Sequence, residues 1–570
     1  MLTYSIRFFR RQVLTVQRNV HVKRFLIYFV DKFCVKTKLI EKRNAICYNI
    51  QKEGGAFMSK SKELDAKKEI DVLYGKLYAF NDKLLQRSER TLSNDKKYSC
   101  LDIFDFYISS HALAYLKSFY YEDFFNASIY LSSRCILEGF ALKELCKRGE
   151  IDTLKEELLQ KQVFLIEYKY YKEFDDIADQ ILLPEKLKTD WEEACKFFNE
   201  KLKDKFSPSK IQQILNSKIP FLCEAKTNYR KIVADTLGEE VASLYGLYSS
   251  LVHPSTNDTY KSEWVKIVLP ILGLIKNEYT NLPNSNSLLS RDYLSTRSPF
   301  SDEFISLMVE EQNILNSIAE VFEKKFANNY VSNTFRTIGF MLPDLAIEKQ
   351  LGLTEQTKCK WKILLELFST FSHMYFKCFG EEQRFKLLDI HGHIQTQRNI
   401  KQEIDLTEAY EIYSKIYIKP CDRQVFEQNF IKALGYLIDE KGSVPSITKV
   451  VLDFIKPFES NVENGISIGR AMYLDYMESQ MLSHANGYMW FANRGAFNDT
   501  NNVFIGIDVC IVTIIEKLYN VFNCQRGIDD SKEYKSIINI LRNSNKKLKN
   551  IYKQKLKLLS LPMVEKWHVN

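Results

Sequence analysis

A pair of charges at helical spacing is the first candidate for chemistry. Arg134 and Glu138 are four residues apart in the apolar stretch YLSSRCILEGFALKE (130–144). Side chains four residues apart lie on the same face of an α-helix, so the guanidinium and the carboxylate can reach one ligand or each other. Such a pair suits anion binding or acid–base work, and a structural ion pair is the alternative.

A second stretch, YGLYSSLVHPS (245–255), supplies a tyrosine, a serine and a histidine. Tyr245, Ser249 and His253 recur every four residues and form one stripe, because each helical residue turns by about 100°. Pro254 disfavours helical geometry at the residue before it, which predicts that the helix ends at His253. If this helix packs on the one that carries Arg134 and Glu138, all five polar side chains converge on one binding or catalytic site. His253 as an ordinary helix-end residue is the alternative.

The same pattern recurs in the second half of the chain. YMESQMLSHAN (476–486) again has a tyrosine, seven residues and a histidine, and TKCKWKILLELFSTF (357–371) is similar to 130–144. Arg134 aligns with Lys362, which lacks the forked geometry of a guanidinium, and Ser249 aligns with Gln480. We therefore expect any functional site in the first copy. Its second-copy counterparts are Glu366, Tyr476 and His484.

These matches follow one another at offsets of 228 and 231 residues, which predicts a tandem duplication. Only 20 glycines and 12 prolines occur in 570 residues, and apolar residues recur at three- and four-residue spacing. Both features predict an all-α fold of two tandem helical-bundle units and a basic amphipathic C-terminal helix. The predicted segments are an upstream leader (1–57), unit 1 (58–285), a Ser/Asn/Pro-rich linker (286–302), a degenerate unit 2 (303–530) and the C-terminal helix (531–570).

The leader differs from the rest of the chain in charge. Residues 1–57 carry 12 Lys/Arg and 3 Asp/Glu, a net charge of +9. Residues 58–570 carry the remaining 68 Lys/Arg and 69 Asp/Glu, a net charge of −1. The sequence KEGGAF before Met58 can be encoded by the purine run of a bacterial ribosome-binding site. We expect that translation starts at Met58 and that the leader is mis-assigned upstream sequence. A basic amphipathic anchor on a membrane surface is the alternative.

Several classes of protein are disfavoured by the remaining residues. The 12 cysteines form no CxxC pair and no zinc-spaced cluster, which predicts a reducing cytoplasm and buried thiols. No cofactor motif is present, His391-Gly-His393 is too weak a signal for a metal, and no apolar run is long enough to span a membrane. The lysine-rich segment 546–557 is expected to be a solvated helix face, with contact to nucleic acid or a protein partner as the alternative.

The pairing of an R-x2-LE helix with a later Y-x3-S-x3-H-P helix end resembles an uncharacterised bacterial helical family, domain of unknown function 5677. The resemblance covers roughly 100–280 and, in degraded form, 330–520. It implies a cytoplasmic helical domain and supplies no activity. The residues that carry it are Arg134, Leu137, Glu138, Tyr245, Ser249, His253 and Pro254.

A distant analogy links the chain to the HEPN class of helical domains, many of which are RNases of toxin or phage-defence systems. Their signature, an arginine followed within a few residues by a histidine, is matched by Arg384 and His391, outside the repeated segments. We therefore expect a non-enzymatic binding or interaction protein, in a bacterial defence or stress setting, with an unknown protein or RNA partner. The alternative is an RNA-cleaving enzyme that uses His253 with Arg134 and Glu138.

Overall fold

A computed structural model of the chain describes fifteen stretches of sequence. The predicted leader 1–57, Met58, His253 and most of the predicted linker lie outside the described residues. The described residues are 60–94, 98–121, 127–178, 185–224, 227–252, 264–285, 288–289, 302–326, 329–378, 381–399, 404–458, 462–463, 466–491, 501–524 and 532–559.

The first half of the chain contains long helices separated by short turns, as the low glycine and proline content predicts. A 3₁₀ turn at Pro220–Leu222 precedes α7. The helices are α1 (Lys60–Asn94), α2 (Cys100–Tyr121), α3 (Ala127–Lys147), α4 (Thr153–Ala178), α5 (Glu185–Leu202), α6 (Pro208–Leu215), α7 (Tyr229–Leu237), α8 (Glu239–Val252) and α9 (Trp264–Tyr279).

The second half is also helical. Two further 3₁₀ turns lie at Gly435–Leu437 and Lys456–Phe458. Strand structure among the described residues is one antiparallel ladder of β1 (Val462–Glu463) and β2 (Ile466–Ser467). The helices are α10 (Asp302–Phe326), α11 (Asn329–Gln350), α12 (Thr354–Phe376), α13 (Glu381–Asn399), α14 (Thr407–Ser414), α15 (Arg423–Phe430), α16 (Ile447–Ile455), α17 (Ile468–Leu482), α18 (Tyr488–Phe491), α19 (Asn501–Cys524) and α20 (Lys532–Leu558). The all-α prediction is confirmed.

Helices in the two halves follow each other in a similar order. Helices α2 and α11 both have 22 residues, α6 and α15 both have 8, and α7 and α16 both have 9. Helix α3 packs on α7 and α8, whereas α12 packs on α16 and α17. A tandem duplication would produce this order of helices. The duplication itself stays a prediction.

Contacts divide the chain into two compact units that do not coincide with the two predicted halves. The described part of the smaller unit comprises 60–77, 264–285 and residue 288. Within it, Asp71 accepts a hydrogen bond from the backbone of Leu288 at 3.0 Å, and Lys76 donates to the carbonyl of Thr280 at 2.9 Å. The larger unit holds the other helices, so α2–α8 and α10–α20 share one interior.

The helices that carry the candidate residues are fixed by close antiparallel packing of α2 on α3. A Cβ at Gly139 would lie 2.5 Å from a side-chain carbon of Ile108, so only glycine allows the two helices to approach this closely. One turn away, Lys143 of α3 pairs with Asp105 of α2. This packing sets the register of α3 and thereby the position of Arg134 and Glu138.

A buried network of four charges joins helices from both predicted halves. Lys117 of α2 and Lys360 of α12 each contact Asp344 and Glu348 of α11. All four side chains are at most 3% exposed. Two cations balance two anions, so the network is neutral overall, as burial of charge requires.

Candidate functional site

Hydrogen-bond donors from three parts of the fold converge on the fully buried carboxylate of Glu138. Tyr245 donates its hydroxyl to Oε1 at 2.8 Å, and the backbone amide of Ala485 donates to Oε2 at 3.2 Å. Nδ1 of His484 lies 3.2 Å from Oε2, and Nε of Arg134 lies 3.7 Å from Oε1. We call these five residues the Glu138 junction.

The turn after α17 brings His484 and Ala485 to α3. Helix α17 ends at Leu482, and Gly487 has a φ of +82°, the left-handed conformation that glycine adopts at low cost. The Asn486 side chain donates to the carbonyl of Met481 at 3.2 Å and accepts from the amide of Tyr488 at 2.9 Å. This left-handed turn therefore ends α17 and presents His484 and Ala485 to α3.

Arg134 and Glu138 lie on one face of α3, and Tyr245 of α8 contacts Glu138, as expected if these two helices pack together. Ser249 is half-buried and lies within hydrogen-bonding reach of the Tyr245 hydroxyl. Helix α8 ends at Val252, directly before His253, which is outside the described residues. His484, a counterpart from the second predicted copy, contacts Glu138 of the first, because the turn after α17 lies against α3.

Charge in the junction is balanced by the surrounding donors. Burial acts to raise the pKa of Glu138, but His484, Arg134 and the Tyr245 hydroxyl together hold it below its ordinary value. Burial also acts to lower the pKa of Arg134, and the charge of Glu138 overcomes it and raises that pKa. The junction therefore holds a carboxylate and a guanidinium at neutral pH.

His484 is the member of the junction that reaches solvent. Burial lowers the pKa of His484 despite the opposing effect of Glu138, so its imidazole is uncharged near neutral pH. About 30% of its side chain is exposed, and its ring stacks on Tyr229 at 5.4 Å with an interplanar angle of 6°. Its Nε2 atom has no hydrogen-bond partner among the described residues. An uncharged, oriented imidazole of this kind can act as a general base.

Three residues that no sequence pattern indicated also lie around the junction. The Arg134 guanidinium donates to the carbonyl of Ser483 at 3.1 Å, and the Cys135 thiol lies 3.3 Å from the same oxygen. His111 of α2 is buried nearby, and burial lowers its pKa to about 4. No motif marks these residues, because Cys135 and His111 are ordinary helical residues, Ser483 lies in the turn after α17, and packing sets the place of all three.

A second carboxylate–tyrosine pair lies in the other predicted copy. Tyr476 donates to Oε1 of Glu366 at 3.1 Å, and Gln480 lies 3.4 Å from the same oxygen. Lys362, which aligns with Arg134, is buried, and burial lowers its pKa. The pairing of α8 with α3 through Tyr245 thus has an equivalent in the pairing of α17 with α12 through Tyr476.

The HEPN-like residues Arg384 and His391 both bind backbone. Arg384 is 1% exposed and donates to the carbonyls of Tyr436 at 2.9 Å and Ile438 at 2.7 Å. Nε2 of the buried His391 lies 2.7 Å from the carbonyl of Lys432. These contacts attach α13 to the segment around the 3₁₀ turn, which is a structural role.

Helix α20 presents a row of cations to solvent. Arg542, Lys546, Lys553 and Lys557 are exposed and fall within about 60° of one another around the helix axis. No acidic residue occurs from 534 to 559. We call these four residues the α20 basic face, which spans about 22 Å at 1.5 Å per residue.

The opposite face of α20 is fixed to α10 and α19. Lys555 pairs with Glu311 of α10 and, at 2.8 Å, with Asp508 of α19, and all three are at most 1% exposed. Burial raises the pKa of Glu311 to about 8, with the charge of Asp508 acting in the same direction. The apolar face of the predicted amphipathic helix is buried here at Ile537, Leu541, Leu548 and Tyr552, whereas Leu559 is half-buried.

Within the described ranges, no group of three or more His, Cys, Asp or Glu could hold a metal ion, and His393 is exposed. The described helices also include none that is both long and apolar enough to cross a membrane. No protein family, curated protein or solved structure matches this chain.

Proposed function

We propose that the chain is a cytoplasmic, non-enzymatic binding protein whose partner is nucleic acid, contacted through the α20 basic face. The observation that carries the proposal is this exposed row of four cations without an intervening acid. Among the described residues, Lys546, Lys553 and Lys557 form no ion pair, so their charges are available to phosphate groups. Residues 58–570 have a net charge of −1, and the attraction is therefore local to α20.

A phosphate backbone suits this face better than a membrane surface. A helix that lies on a membrane must insert its apolar face between lipids. The apolar face of α20 is buried in the protein, where Leu541, Leu548 and Leu556 are each at most 2% exposed. Only the charged face is available, and at about 22 Å it is long enough to contact several phosphates.

The Glu138 junction favours binding over catalysis. Both carboxylate oxygens of Glu138 already accept contacts from within the fold, and Arg134 already donates to Ser483. A carboxylate whose hydrogen-bonding capacity is used internally has none left for a substrate. The bacterial defence or stress setting is part of the proposal and rests on the family resemblance alone.

Fluorescence anisotropy of a labelled single-stranded RNA of about 20 nucleotides tests the proposal at several salt concentrations. With four cationic contacts, a plot of the logarithm of the binding constant against the logarithm of the salt concentration should have a slope of about −3. The triple variant Lys546→Ala, Lys553→Ala, Lys557→Ala should reduce that slope by about 2, because it removes three contacts.

The matched control removes three exposed lysines from other helices: Lys188→Ala, Lys196→Ala and Lys324→Ala. It should leave the salt slope unchanged. Equal losses in both triple variants would mean that binding reflects overall charge, which overturns the proposal. Binding to phosphatidylserine vesicles without binding to RNA or duplex DNA would also overturn it and would indicate a membrane partner.

An acid–base enzyme is the second candidate function. The observation in its favour is His484, which is uncharged, half-exposed and oriented by a buried carboxylate, as a general base requires. His484 here replaces His253 of the original hypothesis. RNA is the substrate expected from the HEPN analogy.

Incubation of the same RNA with the full chain, followed by gel analysis, tests this candidate. Cleavage that is lost in His484→Ala, with the melting temperature unchanged, would support a general base at His484. Parallel loss in His253→Ala would support the original hypothesis. Intact RNA with the wild-type chain, under conditions in which the RNA is bound, would exclude RNA cleavage and leave the binding function in place.

A further inference from the structure

Two cysteines lie in direct contact at one end of the α2–α3 pair. The sulfur atoms of Cys100 and Cys146 are 2.7 Å apart, only about 0.7 Å longer than a disulfide bond. Both are free thiols; Cys100 is buried and Cys146 is half-buried. This contact was not predicted from the scattered cysteine positions, because the two residues are far apart in sequence.

Packing of the surrounding helices holds the two thiols in place. The antiparallel register of α2 and α3 places Ile108 against Gly139, then Asp105 against Lys143, then Cys100 against Cys146. The backbone amide of Cys100 also donates to Glu156 of α4 at 3.3 Å. Neither sulfur therefore needs a backbone rearrangement to reach the other.

We propose that Cys100 and Cys146 are a site of reversible oxidation, at which a peroxide converts the two thiols to a disulfide. The thiolate of the half-buried Cys146 attacks one peroxide oxygen, the O–O bond breaks, and a sulfenic acid and water result. The sulfur of Cys100 then attacks the sulfur of Cys146, the S–O bond breaks, and the second water leaves. Two thiols are oxidised, one peroxide is reduced, and two waters form.

The acidity of the Cys146 thiol determines how the rate of oxidation depends on pH. Its hydrogen bond with Cys100, followed by burial, raises the pKa of Cys146, so little thiolate is present near neutral pH. Because the thiolate is the reactive form, oxidation should accelerate as the pH rises. In a reducing cytoplasm the disulfide would form only transiently, during oxidative exposure.

The disulfide would lock together the two helices that support the Glu138 junction. Helix α3 carries Arg134 and Glu138, and α2 carries His111. A cross-link at the end of this pair restricts their separation in partially unfolded states. Oxidation should therefore raise the melting temperature of the chain without changing its helix content.

Differential alkylation with mass spectrometry of the full chain, treated with hydrogen peroxide, tests the proposal. Cys100 and Cys146 should both lose their reactivity towards the alkylating agent, and a cross-linked peptide pair that contains them should appear and be reversed by dithiothreitol. In Cys100→Ser the disulfide cannot form, and Cys146 should accumulate as a sulfenic acid trapped by dimedone. The exposed Cys524 is an internal control for peroxide reactivity.

Two outcomes would overturn the proposal. One is that Cys100 and Cys146 both remain alkylatable when Cys524 is fully oxidised. The other is that Cys146 forms its disulfide with a cysteine other than Cys100. If the Cys100→Ser variant does not fold, the Cys100→Ala and Cys146→Ser variants provide the same comparison. Peptide mapping of the wild-type chain does not depend on any variant.

Discussion

Two ion pairs with the same four-residue spacing lie on α3 and at its C-terminal end, and they differ in burial. Arg134 and Glu138 are 4% and 0% exposed, whereas Arg148 and Glu144 are 41% and 36% exposed. An exposed pair exchanges its contact for hydration at little cost, but a buried charge that loses its partner has no water to replace it. The same residue types therefore have different roles within and at the end of α3.

Glu138→Gln should lower the free energy of unfolding by about 3–5 kcal/mol, because it leaves Arg134 buried without a counter-charge. Glu144→Gln, the matched change at the exposed pair, should cost less than about 1 kcal/mol. Urea unfolding followed by circular dichroism measures both. Similar small losses in the two variants would show that Glu138 does not hold the junction together.

His111 should make the protein less stable in mild acid. Burial lowers its pKa to about 4, against an ordinary value of 6.5 in the unfolded chain. As the pH falls below 6.5 the unfolded state takes up the proton first, so the free energy of unfolding should decrease by roughly 3 kcal/mol by pH 4.

Urea unfolding of His111→Leu between pH 7 and pH 4 tests this expectation. The variant removes the titrating group and fills similar space, so the difference in stability between it and the wild-type chain should shift in favour of the variant as the pH falls. A difference that stays constant over this range would contradict the expected role of His111.

At the scale of helices, α20 combines a buried anchor with an exposed charged face. Lys555 is enclosed between Glu311 and Asp508, while Lys553 and Lys557 are exposed. Because the cluster is fully buried, removal of the Lys555 ammonium would leave its two acidic side chains without a counter-charge. The anchor holds α20 on α10 and α19 and thereby fixes the direction of the α20 basic face.

Lys555→Met should destabilise the docking of α20 by about 3–5 kcal/mol, because it leaves two buried carboxyl groups without a cation. Lys557→Met, on the exposed side, should change stability by less than about 0.5 kcal/mol. Hydrogen exchange of the α20 amides measures the local effect. If both variants exchange as slowly as the wild type, the buried ion cluster does not anchor the helix.

At the scale of the whole molecule, the two predicted halves share one interior. The junction carboxylate is in the first half, and His484 and Ala485 are in the second. The buried charge network likewise takes Lys117 from one half and Asp344 from the other. Each half by itself would expose buried charges and apolar helix faces.

Fragments 58–285 and 303–570 should therefore not fold when expressed separately. We expect each to lack a cooperative thermal transition by circular dichroism and calorimetry, and we expect co-expression to restore a complex that melts like the intact chain. A cooperative melt of either fragment alone would show that the halves are independent domains.

The sequence by itself determined the all-α class, the amphipathic character of α20 and the shared helix face of Arg134 and Glu138. These features depend on helical periodicity and on contacts one or two turns apart, which the order of residues encodes directly. The low content of glycine and proline and the recurring three- and four-residue spacing were sufficient for them.

Only the tertiary structure decided which histidine meets Glu138, where the Lys117 network lies and that Cys100 touches Cys146. Each of these contacts joins residues whose separation in sequence carries no periodic signal. Their positions follow from the close approach of α2 to α3 at Gly139 and from the turn at Gly487 that directs His484 onto Glu138. Packing of side chains from distant helices, rather than local propensity, sets such contacts.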